Sequence, residues 1–224
     1  AAMARAQDAR DRINAEVFAA AAARWPKRWR SLQPMPVRLA SWVGYDMDGR
    51  TDIGWSTSIR YRLIEKARRL NRYAAGLSVL MPDLSARLGA AARHTETLIE
   101  AFSGALGSPA DVSAAANALT GPHPDRLTSL AGVIGELEQA ATEVDAQAAR
   151  ALLVIAAAMR ADGLGMGWIH FRVNSAQLGN AIRRRLDPDG RLSLSSQAAM
   201  ARMRELLGEV KPLRSNFAAL AIEN

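Results

Sequence analysis

Apolar positions recur at helical spacing along most of this 224-residue chain, and only two short runs switch to the composition of strands. Residues 4–23 are an alanine-rich run that Pro26 cannot continue, so a first helix is expected there. A second helix, N-capped by Ser56 or Thr57, should place Ile59, Leu63, Ala67 and Leu70 on one face. Arg60, Arg62, Lys66, Arg68, Arg69 and Arg72 then surround that face, and arginines spread in this way over several helices read as solvated faces or interdomain contacts. Asp83 after Pro82 should cap a third helix, and Ser108-Pro109 should open a short fourth. Gly121-Pro122-His123-Pro124 reads as a loop, followed by helices over 125–144 and 145–161, with Gly163 ending the latter. A last helix is expected over about 196–207.

The two exceptions are residues 37–43, which alternate at period two, and residues 168–173, which are β-prone. After the second run Ser175 can cap a helix to residue 186, and Asp187-Pro188-Asp189-Gly190 reads as a turn. Two strands alone are marginal unless something completes their sheet. The expected fold is therefore mostly α with two β-strands, part of a helix-rich α/β barrel of the TIM type. With no internal repeat and no dividing linker, residues 1–224 read as a single partial domain. Within it, 37–52 is a strand plus site loop and 163–186 a strand plus its following helix. An alanine at residue 1 and an apolar, uncapped C-terminal end add the expectation of a chain cut from a larger protein. The pattern leaves one alternative open, an all-α domain in which both runs are buried connectors.

Composition narrows the chemistry. The chain has no cysteine, so it forms no disulfide, zinc thiolate or thiol nucleophile, and a reducing cytoplasm is its natural setting. The apolar run 151–159, between Arg150 and Arg160, is too short to span a bilayer, so a soluble chain without membrane span or secretory leader is expected. A net charge of +7, carried mainly by arginine, points to anionic partners, either nucleic acids or small phosphorylated acids.

Candidate chemistry sits where the first strand ends. Asp46 and Asp48 stand one residue apart on a turn between Gly44 and Gly49, as α/β enzymes present polar groups at strand ends. Close spacing does not make them an acid/base dyad, and turn stabilisation is the competing role. The run Ser41-Trp42-Val43-Gly44-Tyr45-Asp46-Met47-Asp48-Gly49 resembles phosphoenolpyruvate carboxylase, whose pattern at one barrel strand is Ser-Trp-x-Gly-Gly-Asp-Arg-Asp-Gly-Asn-Pro. Ser41, Trp42, Gly44, Asp46, Asp48 and Gly49 match it. A second family anchor, Gly-Leu or Gly-Val followed by a strand ending in Arg-Gln-Glu/Asp-Ser, is echoed by Gly163-Leu164, Arg172 and Ser175. Tyr45, Met47, Arg50-Thr51 and Val173-Asn174 depart from the family pattern.

The resemblance implies a cytoplasmic, magnesium-dependent homotetramer that carboxylates phosphoenolpyruvate with bicarbonate to oxaloacetate and phosphate, replenishing the tricarboxylic acid cycle. It implies substrate binding by Arg172, whose competing role is a salt bridge to Asp46 or Asp48. Arg50 is expected to supply the cation lost at Met47. Ser41, Trp42, Gly44, Asp46, Asp48, Gly49, His170 and Ser175 are expected to shape the site, with Ser41 and Trp42 packing and orienting the strand. The family's catalytic histidine motif and its magnesium carboxylates are not found, so no catalytic residue or metal ligand is assigned and the chain alone should not turn over. His94 on its helix and His123 in its loop read as structural. Two other readings stay in view. Asp46 and Asp48 could serve a haloacid-dehalogenase-type phosphotransferase, which wants a threonine where Arg50 stands. Residues 24–30 with Arg183, Arg184 and Arg185 could make a basic helical nucleic-acid-binding module, although spread-out arginines make nucleic acid the weaker partner.

Overall fold

The computed structural model of the chain describes residues 2–45, 52–104, 106–169 and 196–209, together with 176, 180, 183, 184, 187, 189 and 193. Helix α1 spans Ala2–Arg24 and stops at Trp25-Pro26, and a 3-10 turn follows at Trp29–Ser31. Strand β1 (Ala40–Ser41) leads to α2 (Trp55–Leu77), α3 (Pro82–Ala101), α4 (Pro109–Thr120), α5 (Ala131–Glu143) and α6 (Ala146–Asp162). Strand β2 (Trp168–Ile169) and α7 (Gln197–Glu209) complete the described elements. The protein is thus mostly helical with two strands.

Local chemistry explains most of the boundaries. Ser108 and Asp111 form a reciprocal capping box at the start of α4, with Pro109 in the first turn. Asp145 accepts from the N–H groups of Gln147 and Ala148 at the start of α6, and those two bonds hold its carboxyl below the usual range. Gly163 ends α6 at φ 59°, a left-handed value that glycine adopts without strain. Elsewhere the structure moves the expected starts. Helix α2 begins at Trp55 with Gly54 as N-cap, not at Ser56 or Thr57. Met81 is the N-cap of α3, which puts Asp83 in the first turn where it still meets the helix dipole favourably. Helix α5 starts at Ala131, six residues later than Asp125, because Arg126 is drawn into the preceding loop by the carbonyls of Thr120 and Gly121.

The two strand-like runs do pair. β1 and β2 lie parallel, with Ala40 opposite Trp168 and Ser41 opposite Ile169. The Trp168 N–H donates to Leu39 O at 2.7 Å, and the Arg38 guanidinium stacks over the Trp168 ring at 4.8 Å. This pairing removes the all-α alternative, although β1 is shorter than residues 37–43. Pro34 and Pro36 carry no ladder N–H before it, and Gly44 at φ 86° turns the chain after it.

Helices α2 and α3 pack along one another, as do α5 and α6, and α1 lies along α6. The main core joins Phe18, Trp29, Leu70, Leu77, Leu88, Leu137, Leu152 and Met159. A smaller cluster of Leu63, Leu98, Phe102, Ala115 and Leu119 closes the far end of α2 and α3. Among the described residues, no helix is long and apolar enough to cross a membrane.

Candidate functional site

In a parallel pair both strands end at the same edge of the sheet, so Ser41 and Ile169, the last residues of the two strands, lie side by side. Ser41 lies in β1, where its Oγ accepts from the Val43 N–H at 3.2 Å. Trp42, the next residue, is 53% exposed. Gly44 is needed where it stands, because a Cβ there would lie 2.9 Å from the Tyr61 ring as well as sitting at positive φ. Asp46, Asp48, Gly49 and Arg50 on the first loop, and His170, Arg172 and Ser175 after β2, lie outside the described residues.

Both strands are tied to α2, which runs from the C-terminal end of β1 back past the turn that enters β2. At its first turn Ser58 donates to Gly44 O at 2.9 Å. Two turns further, the Tyr45 hydroxyl donates to Glu65 Oε2 at 3.0 Å, and Arg62 Nη1 lies 3.6 Å from the same oxygen. Burial raises the pKa values of both the Tyr45 phenol and the Glu65 carboxyl, with Arg62 countering at each. The Arg62 guanidinium lies against Gly165, where a Cβ would fall 1.8 Å from Nη1. Gly167 sits at φ 130° with Leu39 O within 2.7 Å of where its Cβ would be. Only glycine lets the turn entering β2 approach both neighbours.

Beneath this lies a buried polar network. Asp162, at the end of α6, accepts from Arg10 Nη1 at 2.5 Å and Nη2 at 2.9 Å, and Arg69 Nη2 lies 2.5 Å from its Oδ2. Gln7 bridges Asp162 Oδ2 at 3.1 Å and Met166 O at 3.0 Å, and its own Oε1 accepts from Arg69 at 3.3 Å. Burial works against the Arg10 charge, but the bonds and charge of Asp162, with those of Asp11, outweigh it and hold the guanidinium above its ordinary pKa. The Tyr73 ring lies 4.3 Å under Arg69, and its hydroxyl reaches Gly163 O at 3.1 Å.

No family model, curated protein or solved structure matches this chain. The structural assignments therefore rest on the molecule's own geometry, and that geometry corrects the expectation of solvated arginines. Arg62, Lys66 and Arg69 on α2 are buried, as is Arg10 on α1. One signal in the sequence could have found the network. A carboxylate in the last turn of an apolar helix opposes the helix dipole, so Asp162 calls for cations from elsewhere in the fold.

The histidines also have a definite place. His94 and His123 stack face to face, with ring centroids 3.8 Å apart and planes 6° apart. The Asp125 N–H donates to His123 Nδ1 at 3.1 Å. Burial, then His123 and Lys66, lower the pKa of His94. Among the described residues no group of three or more His, Asp or Glu side chains could hold a metal ion. An open cleft of about 500 Å³ at the end of α1 is lined by Ala21, Trp25, Arg28, Trp29, Ser31 and Leu32, away from the strand ends.

Proposed function

We propose that the chain is part of a divergent phosphoenolpyruvate carboxylase, a cytoplasmic enzyme that forms oxaloacetate and phosphate from phosphoenolpyruvate and bicarbonate. The observation that carries this reading is the parallel register of β1 and β2, because the two runs bearing the family-like motifs are neighbours whose chains leave the sheet at one edge. Parallel strands belong to sheets covered on both faces, so further strands of a barrel are part of the proposal. Trp42, Val43 and Trp168 are exposed around this pair, and an apolar rim of that kind suits coverage by neighbouring strands.

The residues bear the following roles in the proposal. Phosphoenolpyruvate brings a phosphate and a carboxylate, and its phosphoryl group passes to bicarbonate, leaving the enolate of pyruvate. The carboxyphosphate so formed supplies the carbon dioxide that the enolate captures. Every species is anionic, which suits the permanently charged, forked guanidinium of Arg172, with Arg50 in place of the cation that Met47 lacks. Asp46, Asp48 and Gly49 shape the loop. A magnesium ion steadies enolate charge in such chemistry, and its ligands would come from residues outside this chain.

The test is oxaloacetate formation by the parent protein, followed by coupled reduction to malate. Activity requiring both phosphoenolpyruvate and bicarbonate is expected, with KM for phosphoenolpyruvate raised tenfold or more by Arg172→Ala and by Arg50→Ala. The chain by itself is expected not to turn over. A parent that forms no oxaloacetate overturns the assignment, and unchanged KM in Arg50→Ala removes that residue's role alone.

A further inference from the structure

Helix α2 carries a polar seam, Ser58, Arg62, Glu65, Arg69 and Tyr73, spaced so that successive members share one side of the helix. Its members touch the chain at both ends of the strand pair. Ser58 and Glu65 hold Gly44 O and the Tyr45 hydroxyl just after β1. Arg62 lies against Gly165, and Arg69 and Tyr73 hold Asp162 and Gly163 O, all before β2. Glu65 Oε2 joins the two groups, because it accepts from Tyr45 and faces Arg62 at 3.6 Å.

A ladder of two residues per strand has few bonds with which to fix its own register, and a slip by one residue turns every side chain to the other face. Neither strand has a fully buried residue, so apolar packing opposes such a slip only weakly. Hydrogen bonds and a guanidinium seated on a glycine do not tolerate it, because Arg62 clears only a residue without a Cβ and the Tyr45 hydroxyl is directed at Glu65 Oε2.

We propose that Glu65 is a positioning residue: by joining Tyr45 to Arg62 it locks the parallel register of β1 and β2 and so the juxtaposition of their C-terminal ends at Ser41 and Ile169. The geometry stands independently of the carboxylase reading, and only the use made of the aligned strand ends rests on it. The same geometry makes Tyr45 and Glu65 one unit. Where the family-like pattern has a glycine, position 45 carries a tyrosine whose hydroxyl donates to the Glu65 carboxyl, so a change at either residue removes a hydrogen bond of the other.

Amide hydrogen exchange on the ligand-free chain tests this. The reporters are the Tyr45 amide, bonded to Trp42 O, and the Trp168 amide, bonded to Leu39 O, on opposite sides of the seam. In Glu65→Leu both amides are expected to exchange at least tenfold faster, with the α6 amides of Leu152 and Leu153 unchanged. Glu65→Gln keeps an acceptor for Tyr45 and is expected to restore most of the Tyr45 protection. Tyr45→Phe combined with Glu65→Leu is expected to add little to Glu65→Leu alone. Equal acceleration throughout the chain overturns the proposal, since that is loss of stability and no more. So does a change confined to Tyr45, no change at either amide, or full additivity in the double variant. No outcome depends on phosphoenolpyruvate, so failure here is separate from failure of the enzymatic reading.

Discussion

Asp162 is the residue on which the interior charge depends. Its side chain is shielded from solvent, it meets both Arg10 and Arg69, and each guanidinium is itself buried. Removing one partner of such a group leaves uncompensated charge inside, which costs about 3–5 kcal/mol, whereas apolar replacement of all partners together is often close to neutral. Asp162→Asn is therefore expected to lower the urea midpoint strongly. Asp162→Leu combined with Arg10→Met and Arg69→Met is expected to cost less than Asp162→Asn alone. His94 gives a prediction in pH. Its Nε2 is buried without a hydrogen-bond partner among the described residues, and burial together with His123, Lys66 and Arg126 disfavours its charged form, with Asp125 opposing. The folded-state pKa thus lies below the unfolded value of about 6.5, so the unfolded chain takes up the proton first. The stability that the neutral ring contributes is complete above that value and is lost as pH falls through it towards the lowered one. Urea midpoints measured from pH 8 to pH 5 should fall in the wild type and fall less in His94→Phe.

At the scale of elements, most helices were legible because their signals are local. The Ser108–Asp111 box, the Asp145 cap and the Gly163 stop each act within one turn, and the helix starts at Ser108-Pro109 and at 145 and the stop at Gly163 stand where the sequence places them. The strand candidates were legible as composition, but their length was not, since a ladder needs a partner and prolines on the approach shorten it. The candidate site was readable only as motifs. Ser41, Trp42 and Gly44 lie at the end of β1, yet the side chains that anchor this end are Ser58 and Glu65 on α2, and no motif marks them. Gly167 is the sharpest test at this scale. It sits at φ 130° against Leu39 O, so Gly167→Ala faces both backbone strain and a backbone clash. A loss of about 1–3 kcal/mol is expected, together with loss of protection at the Trp168 amide, while the helical far-UV circular dichroism stays near that of the wild type.

For the molecule as a whole, stability should be graded. The core residues Leu152, Leu153, Ala156 and Met159 of α6 are fully enclosed, whereas Val43, Trp42 and Trp168 beside the strand pair are exposed. Hydrogen exchange should report global unfolding free energy for α6 and a smaller, local one for the strand pair, and equal values would contradict this grading. By itself the sequence determined the helical class, the starts of α4 and α6, the Gly163 stop, the two strand-forming runs and the absence of thiol chemistry, because each depends on neighbours a few residues away or on composition. Only the tertiary structure decided that the two runs pair in parallel, that α2 turns three of its cations inward, and that His94 meets His123. The reason is distance along the chain. A cation at a helical position is solvated or buried according to whether a carboxylate waits on another element, and Gln7 meets Asp162 across 155 residues that no local pattern spans.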